Sequence, residues 1–216
     1  MLKWCAKHPY LFSIYYFIFY LAFFVICERF ITVPVWIVHS AIDDMIPFSA
    51  LGIIPYLLWF PWIVITVVGL LRWGPRKEYL HACFTMYTGM TLILIFYCIV
   101  PNGLALRPVA VPGNDFFASL VQLIYAHDTP INVCPSLHVY VSVSMDLAWS
   151  HSSLLKEHGW VKILLHLLDL AICIGVMLVK QHSIIDVISG IVLALLIDLF
   201  ITKKFQAIPD TEFLQA

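Results

Sequence analysis

Residues 182–201 read HSIIDVISGIVLALLIDLFI, and this stretch decides the fold. Its apolar part, from Ile184 to Ile201, falls within the range of about 17–25 residues that a helix needs to cross a bilayer. Two polar side chains, His182 and Asp186, stand where the apolar part begins. Because a charged side chain at the centre of a membrane helix costs roughly 2.5–3.5 kcal/mol, this position indicates a functional site at the rim of a membrane bundle.

The composition of the whole chain supports a membrane protein. Of the 216 residues, 62% are hydrophobic and 12% are charged, and the mean hydropathy of +0.94 lies far above that of soluble domains. The net charge of −1 and the lack of a basic tract give no indication of a nucleic-acid partner. Six scattered cysteines predict packing residues rather than a disulfide framework or a zinc site. We expect one domain over residues 1–216.

Five apolar stretches are long enough to span a membrane, and a sixth is shorter. The five run from about 10 to 27, 53 to 71, 79 to 100, 161 to 179 and 184 to 201. The sixth, from about 136 to 150, contains Ser142, Ser144 and Asp146, so hydropathy alone leaves it undecided. We predict an all-α fold, a six-helix transmembrane bundle in which the short segment also spans.

The distribution of basic residues favours six spans. With six, both termini share one side, and only Arg29, Arg107 and Lys180 of the twelve Lys and Arg residues lie on the other. Basic residues collect in cytoplasmic loops, so we expect a multi-pass protein of the cell membrane with both termini in the cytoplasm. The loop 101–135 and the turn 180–182 then face each other on the extracytoplasmic side.

Polar residues outside the two motifs have simpler explanations. The segment from about 30 to 48, between the first two helices, is apolar but interrupted, and we predict an interfacial or re-entrant piece at the outer surface. Within it, Asp43 and Asp44 could contact a head group, although a solvated loop is the simpler expectation. Near the other end of the bundle, Asp198 is predicted to form an interfacial charge pair with Lys203 and Lys204.

The short segment begins with Pro135-Ser136-Leu137-His138. Proline suits the first turn of a helix because its missing N–H would have no partner there. The amide groups that follow and the helix dipole favour an anion such as phosphate, with the Ser136 hydroxyl as an added donor. His138 would then lie beside the anion and could donate a proton. The alternative is an ordinary helix start with a buried, hydrogen-bonded histidine.

His182 and Asp186 are four residues apart and share one face of the last helix. A carboxylate beside an imidazole fixes its tautomer and stabilises its positive charge. This suits a histidine that attacks phosphorus through its free nitrogen. A structural ion pair is one alternative, and a metal site built from His138, His182 and Asp186 is another. Arg107 and Lys180 would supply positive charge to a phosphate.

Three motifs, in this order and at this spacing, resemble those of the membrane-bound type 2 phosphatidic acid phosphatase superfamily: Arg107-Pro108, Pro135-Ser136-x-His138 and His182-x3-Asp186. The resemblance covers most of the chain and implies a phosphatase or phosphotransferase without metal or cofactor. It implies that His182 is the nucleophile and forms a phosphohistidine, that Asp186 orients it and that His138 protonates the leaving oxygen. Arg107 and Ser136 would bind the phosphate of a membrane lipid.

The chain departs from the usual family pattern at two places. Val100 stands where the first motif has a lysine, and Gly175-Val176 stand where the third motif has Ser-Arg, with Lys180 as a substitute cation. The altered third motif and the Pro-Ser-Leu-His form resemble inositol phosphorylceramide and sphingomyelin synthases. In that branch the same chemistry passes a phospho-headgroup to an alcohol. The pattern Asp128-x-Pro130-x-Asn132-x-x-Pro135 is similar to uncharacterised bacterial members of the branch.

Two functional classes follow from these residues. The first is a lipid phosphatase or phosphotransferase at the extracytoplasmic face, with water or an alcohol as the acceptor. The site has fewer cations than the usual family motifs provide. This favours a phosphodiester substrate over a monoester, since a diester carries less charge. The second class is a non-catalytic transporter or assembly factor on the same fold. The presence of both histidines, Asp186 and Arg107 favours catalysis, because a non-catalytic protein has no physical need for that set.

Overall fold

The computed structural model describes residues 2–214 and is mostly helical. Its elements in chain order are α1 (Leu2–Lys7), α2 (Pro9–Phe30), β1 (Trp36–Val38), α3 (Ala41–Met45), α4 (Ile53–Trp73), α5 (Arg76–Ile99), β2 (Asn102–Leu104), α6 (Phe116–His127), α7 (Leu137–His151), α8 (Gly159–Leu178), α9 (Ile184–Gln206) and α10 (Thr211–Leu214). Short 3-10 turns at Ala50–Gly52 and Ser153–Leu155 precede α4 and α8.

Five of these helices are long and apolar enough to cross a membrane: α2, α4, α5, α8 and α9. They coincide with the five long apolar stretches, which confirms that part of the prediction. Pro9 begins α2, where the missing N–H of proline is harmless. Gly74 and Pro75 separate α4 from α5. Large apolar side chains face outward, for example Phe17 at 62% exposure and Leu196 at 59%.

The sixth predicted segment, α7, is a helix at the centre of the bundle. Its 15 residues correspond to about 22 Å, less than the thickness of a bilayer core. It packs against α4, α5, α8 and α9, so other helices surround it rather than solvent or lipid. This explains its polar composition, because a buried hydroxyl can be satisfied within the helix, as where Ser144 donates to the Tyr140 carbonyl at 2.7 Å.

The segment between α2 and α4 is folded against one end of the bundle. Its strand β1 pairs in parallel with β2, with Ile37 opposite Gly103. The backbone N–H of Ser49 donates to the carbonyl of Leu178 at 3.0 Å, at the end of α8. The all-α prediction therefore missed a small two-stranded sheet, because three-residue strands leave no periodic signal in the sequence.

The predicted loop 101–135 contains a further helix, α6, that the sequence analysis did not predict. Asp115 caps it by accepting a hydrogen bond from the Ala118 N–H at 2.8 Å. Its 12 residues are too few to span a bilayer. The helix contacts α4 and the 3-10 turn before α4, so it covers the same end of the bundle as β1 and β2.

Candidate active site

The histidines of the two motifs lie next to each other at this end of the bundle. His138 is in the first turn of α7, and His182 precedes α9. The Nδ1 atom of His138 is 3.3 Å from Nε2 of His182. Close packing of α7 on α9 allows this contact: a side chain at Gly190 would place Cβ only 2.9 Å from the carbonyl oxygen of Ser136. The predicted approach of the two motifs is thus present in the structure.

Asp186 binds the other side of the His182 ring. Its Oδ2 atom lies 3.2 Å from Nδ1 of His182 and accepts the Ser183 N–H at 2.9 Å. Asp186 is fully buried. Because a carboxylate only accepts, the proton of His182 is placed on Nδ1, and Nε2 carries a lone pair directed at His138. His138 is then the donor through its own Nδ1.

This arrangement does not suit one metal ion held by His138, His182 and Asp186. His138 faces Nε2 of His182, whereas Asp186 faces Nδ1. A metal ion takes one nitrogen of an imidazole, so these three side chains do not converge on a common point. The geometry instead forms a line from carboxylate to imidazole to imidazole, in which a proton or a phosphoryl group can be handled at Nε2 of His182.

The start of α7 differs from the prediction. The helix begins at Leu137, with Ser136 as the N-cap, so Pro135 lies outside the first turn. Serine is among the preferred N-cap residues, and its hydroxyl accepts the Val139 N–H at 3.3 Å. The Ser136 N–H donates to the Asp186 carbonyl at 3.1 Å. The buried hydroxyl of Ser136 thus supports the helix start, and it retains its own proton for a further partner.

Asn102, which the sequence analysis did not single out, holds the chain that leads into α7. Its side-chain oxygen accepts the N–H groups of Val133 at 2.9 Å and Cys134 at 2.8 Å. Its amide nitrogen donates to the Cys134 carbonyl at 2.8 Å. The Tyr97 hydroxyl adds a bond of 2.6 Å to the carbonyl of Pro135. These contacts fix the path of residues 133–135 before α7 begins.

Asp43, from α3, holds the turn before α9. The residue is 1% exposed, so the expectation of a solvated loop is wrong here. Its carboxylate accepts the Ser183 hydroxyl at 2.6 Å and the Ile184 N–H at 2.8 Å. The expectation of a solvated side chain does hold for the neighbouring Asp44, which is 64% exposed and pairs with His39. The Ser40-x-x-Asp43 capping box could be recognised in the sequence, but its contact with residue 183 could not.

The Lys180 ammonium group binds backbone carbonyls in and next to α3. Its Nζ donates to the carbonyl oxygens of Asp43 at 2.8 Å and Ile46 at 2.5 Å. The residue has a positive φ of 51°, a turn conformation between α8 and α9 that directs the chain toward His182. The predicted role of Lys180 as a phosphate ligand therefore disagrees with the structure. The ammonium group instead joins the turn to α3.

Arg107 lies beside the site, and two of its three guanidinium nitrogens have hydrogen-bond partners. Its Nη1 donates to the Asp128 carbonyl at 2.8 Å, Nη2 donates to the Gln181 side chain, and the guanidinium lies 4.5 Å from the Tyr125 ring centre. Its buried Nε has no partner among residues 2–214. Burial lowers the pKa of Arg107, and the nearby Asp128 carboxylate opposes this. The side chain remains a cation next to the residue that precedes His182.

Asp128 brings a carboxyl group to the same place. Its Oδ2 accepts the Gln181 amide at 3.0 Å and the Tyr56 hydroxyl at 3.2 Å. Burial raises the pKa of Asp128, and the charge of Arg107 acts in the opposite direction. Neither Gln181 nor Asp128 was predicted as a site residue. The resemblance of the Asp128-containing pattern to bacterial proteins pointed to this segment.

A cavity of about 380 Å³ reaches both histidines. Trp59 and Tyr56 of α4 line it and lie with their ring centres 4.6 and 4.7 Å from that of His138. On the opposite wall, α2 contributes Tyr20 and Phe24. Helix α2 packs mainly on α5 and makes little contact with α4. The cavity therefore lies in the gap between two long apolar helices.

The polar end of the cavity contains an unsatisfied amide. Asn132 is 8% exposed, and neither its side-chain oxygen nor its nitrogen has a hydrogen-bond partner within residues 2–214. It lines the cavity together with Glu28, His138 and His182. Because buried amides are nearly always paired, Asn132 is a candidate contact for a ligand in the cavity.

No family model, curated protein or solved structure matches the chain. The structure brings together His138, His182, Asp186 and Ser136. Arg107 contacts Gln181, the residue before His182, and Lys180 binds the α3 segment.

Proposed function

We propose that the protein is a membrane-embedded enzyme that transfers a phospho-group from a lipid through a phosphohistidine at His182. One observation carries this proposal: Asp186, His182 and His138 stand in line at the end of a cavity between α2 and α4. The first two residues supply an oriented nucleophile, and the third supplies a proton. A non-catalytic transporter or assembly factor has no need for this alignment.

The chemistry would proceed at Nε2 of His182. This nitrogen attacks phosphorus, a P–N bond forms, and the P–O bond to the lipid breaks. Asp186 stabilises the positive charge that develops on the imidazole. His138 acts in its imidazolium form: it delivers its Nδ1 proton to the leaving oxygen and becomes a neutral imidazole with a proton on Nε2. An acceptor hydroxyl, from water or an alcohol, then gives its proton back to His138 and attacks phosphorus, and the P–N bond to His182 breaks.

The two rings are too close to hold phosphorus between them. Their nitrogens are 3.3 Å apart, and reacting atoms alone are about 3–3.5 Å apart in a productive complex. Substrate binding therefore requires the His138 ring to turn away from His182. The Trp59 and Tyr56 rings next to His138 line the cavity into which it would turn.

The charges around the cavity favour a lipid phosphodiester over a monoester. Lys180 is bound to the backbone of α3, and Arg107 donates to the Asp128 carbonyl and to the Gln181 side chain. Glu28 and Asp128 line the cavity, and carboxylates repel a doubly charged phosphate. A diester carries less charge, so the resemblance to headgroup-transferring synthases agrees with the site. We place hydrolysis of a lipid monophosphate second.

For the topology we propose six spans, with α7 as the central one, and the segment between α2 and α4 at the outer interface. The site then faces the extracytoplasmic side of the cell membrane. The asymmetry of basic residues supports this orientation. Lys3 of α1 and Glu212 of α10 are 3.2 Å apart at the other end of the bundle, which agrees with a shared, cytoplasmic side for both termini.

The proposal is tested by trapping the intermediate. Purified protein is incubated with lipid monoesters and diesters labelled in the phosphate, and acid-labile label on the protein is measured. We expect label in the wild type and none in His182→Ala. His166→Ala is the matched control, because His166 also contacts a carboxylate, that of Asp146 at 2.6 Å, and should keep the label. Absence of label with every lipid would overturn the proposal.

A further inference from the structure

A second group of ligand-type side chains lies at the opposite end of the bundle. His81 is near the start of α5, His151 ends α7, and Asp198 is in the second half of α9. Nε2 of His81 lies 3.8 Å from one carboxylate oxygen of Asp198, and Nδ1 of His151 lies 4.0 Å from the other. One ligand atom from each residue falls within 4.8 Å of the other two. Three helices thus converge at one point.

The Asp198 carboxylate has no hydrogen-bond partner among the described residues. The residue is 7% exposed, yet it accepts no hydrogen bond from another residue in the range 2–214, since both histidines are too far away for one. The predicted charge pair with Lys203 and Lys204 is absent from the described residues, and Lys204 instead lies 5.5 Å from the Phe200 ring. A carboxylate that lies between two imidazoles without a hydrogen bond to either is available to bind a cation.

We propose that His81, His151 and Asp198 bind a divalent transition-metal ion of the Zn²⁺ type. Two imidazoles and a carboxylate suit zinc, whereas calcium and magnesium prefer oxygen ligands. Ligand atoms at 2.0–2.1 Å from a tetrahedral ion are about 3.3 Å apart. The three ligand atoms lie within 4.8 Å of one another, so each gap between them closes by at most about 1.5 Å. His81 exchanges its present contact with the Thr202 hydroxyl for the metal.

The site has access to water and an open coordination position. A cavity of about 390 Å³, lined by Lys77, Glu78 and Gln206, reaches both histidines, and the His151 side chain is 52% exposed. Three protein ligands leave the fourth position for water, so the ion is exchangeable. Along α9, Asp198 lies about 18 Å from Asp186. The metal therefore takes no part in the phosphohistidine chemistry; it ties α5, α7 and α9 together.

Cobalt(II) tests the site, because its visible absorption reports the coordination number. The full chain is purified in detergent through a tag without histidines, stripped with a chelator and titrated with Co²⁺. We expect saturation at one ion per chain with the strong bands of four-coordinate cobalt. His151→Ala removes an exposed ligand and leaves the fold intact, and Asp198→Asn removes the carboxylate. Each should weaken binding at least as much as the roughly 10–100-fold seen for outer-shell partners.

The other histidine pair is the control. His138→Ala combined with His182→Ala should leave the cobalt spectrum and affinity unchanged, while it abolishes phosphohistidine labelling. The two proposals therefore fail separately. The metal site is refuted if the wild type shows no saturable cobalt binding. It is also refuted if binding survives in His151→Ala and Asp198→Asn and disappears in the double variant.

Discussion

Replacement of Asp43 by asparagine should displace His182 without altering the histidine itself. Asp43 lies in α3, far from His182 in the sequence, and its side chain accepts hydrogen bonds from Ser40, Ser183 and Ile184 rather than from either imidazole. Its carboxylate instead holds Ser183 and Ile184, the two residues that follow His182. The variant therefore tests whether the segment between α2 and α4 positions the nucleophile.

The magnitude follows from the hydrogen bonds that are lost. Oδ1 of Asp43 accepts the Ile184 N–H at 2.8 Å, and Oδ2 accepts both the Ser40 N–H at 2.8 Å and the Ser183 hydroxyl at 2.6 Å. The amide has one oxygen, so one backbone N–H must face an NH₂ group in either orientation. A buried donor left without a partner costs about 1–3 kcal/mol. For a chain of this size, each kcal/mol lowers the Tm by about 2–4 °C.

In Asp43→Asn the rate of phosphohistidine formation should fall together with the stability of the fold. If the whole 1–3 kcal/mol falls on the position of His182, the rate drops by about 5–150-fold, since 1.36 kcal/mol is a factor of ten. A positioning residue should lower the rate of the chemical step and leave substrate affinity close to the wild-type value. Rapid-quench measurement of the labelled intermediate over a range of lipid concentrations separates these two effects.

Asp44→Asn is the matched control. It makes the same chemical change one residue further along, at a side chain that is 64% exposed and contacts only His39 among the described residues. We expect its Tm and labelling rate to equal those of the wild type. Equal behaviour of Asp43→Asn and Asp44→Asn would refute the argument that the Asp43 carboxylate holds the turn before α9.

Four other measurements test the roles of the site residues, the topology and the metal dependence. Asp186→Asn should slow formation of the intermediate by about 10²–10⁴-fold with an unchanged Tm; a wild-type rate would make Asp186 a structural residue. His138→Ala should lose a similar factor with a lipid phosphate but still allow an aryl phosphate, whose leaving group needs no proton, to label His182; equal losses on both would contradict the role as acid. A cysteine at Asn114 should react with an impermeant thiol reagent on intact cells and one at Lys156 should not; the reverse pattern would invert the topology. Labelling of His182 should persist in EDTA, although the chelator removes any ion at His81; complete loss restored by zinc would instead indicate a catalytic metal.

The long helices could be predicted because their apolar stretches are uninterrupted and end at recognisable residues. Pro9 begins α2, and Gly74-Pro75 separates α4 from α5. The central helix α7 was the difficult one. It is surrounded by protein, so its sequence does not need the hydropathy of a lipid-facing span. The prediction that this segment spans the membrane came from the basic residues in the loops rather than from the segment itself.

The candidate site could be predicted only where its residues follow from local spacing. His182 and Asp186 are one helical turn apart, and the motif that contains His138 precedes a helix. Asp43 and Asn102 act through contacts with residues far away in the sequence, which no local pattern reveals. Lys180 was predicted as a phosphate ligand because the sequence shows its charge. The sequence does not show the turn that directs its side chain to α3.

The buried acids of this protein show how the second site differs from the first. Among the residues that the structure describes, three acidic residues are buried: Asp43, Asp186 and Asp198. Asp43 accepts three hydrogen bonds, and Asp186 binds an imidazole and a backbone N–H through one oxygen, while its other oxygen has no partner within residues 2–214. Asp198 has two histidines nearby but outside hydrogen-bond distance. Because one ligand atom from each of these three side chains lies within 4.8 Å of the other two, a metal ion between them can bind all three at once.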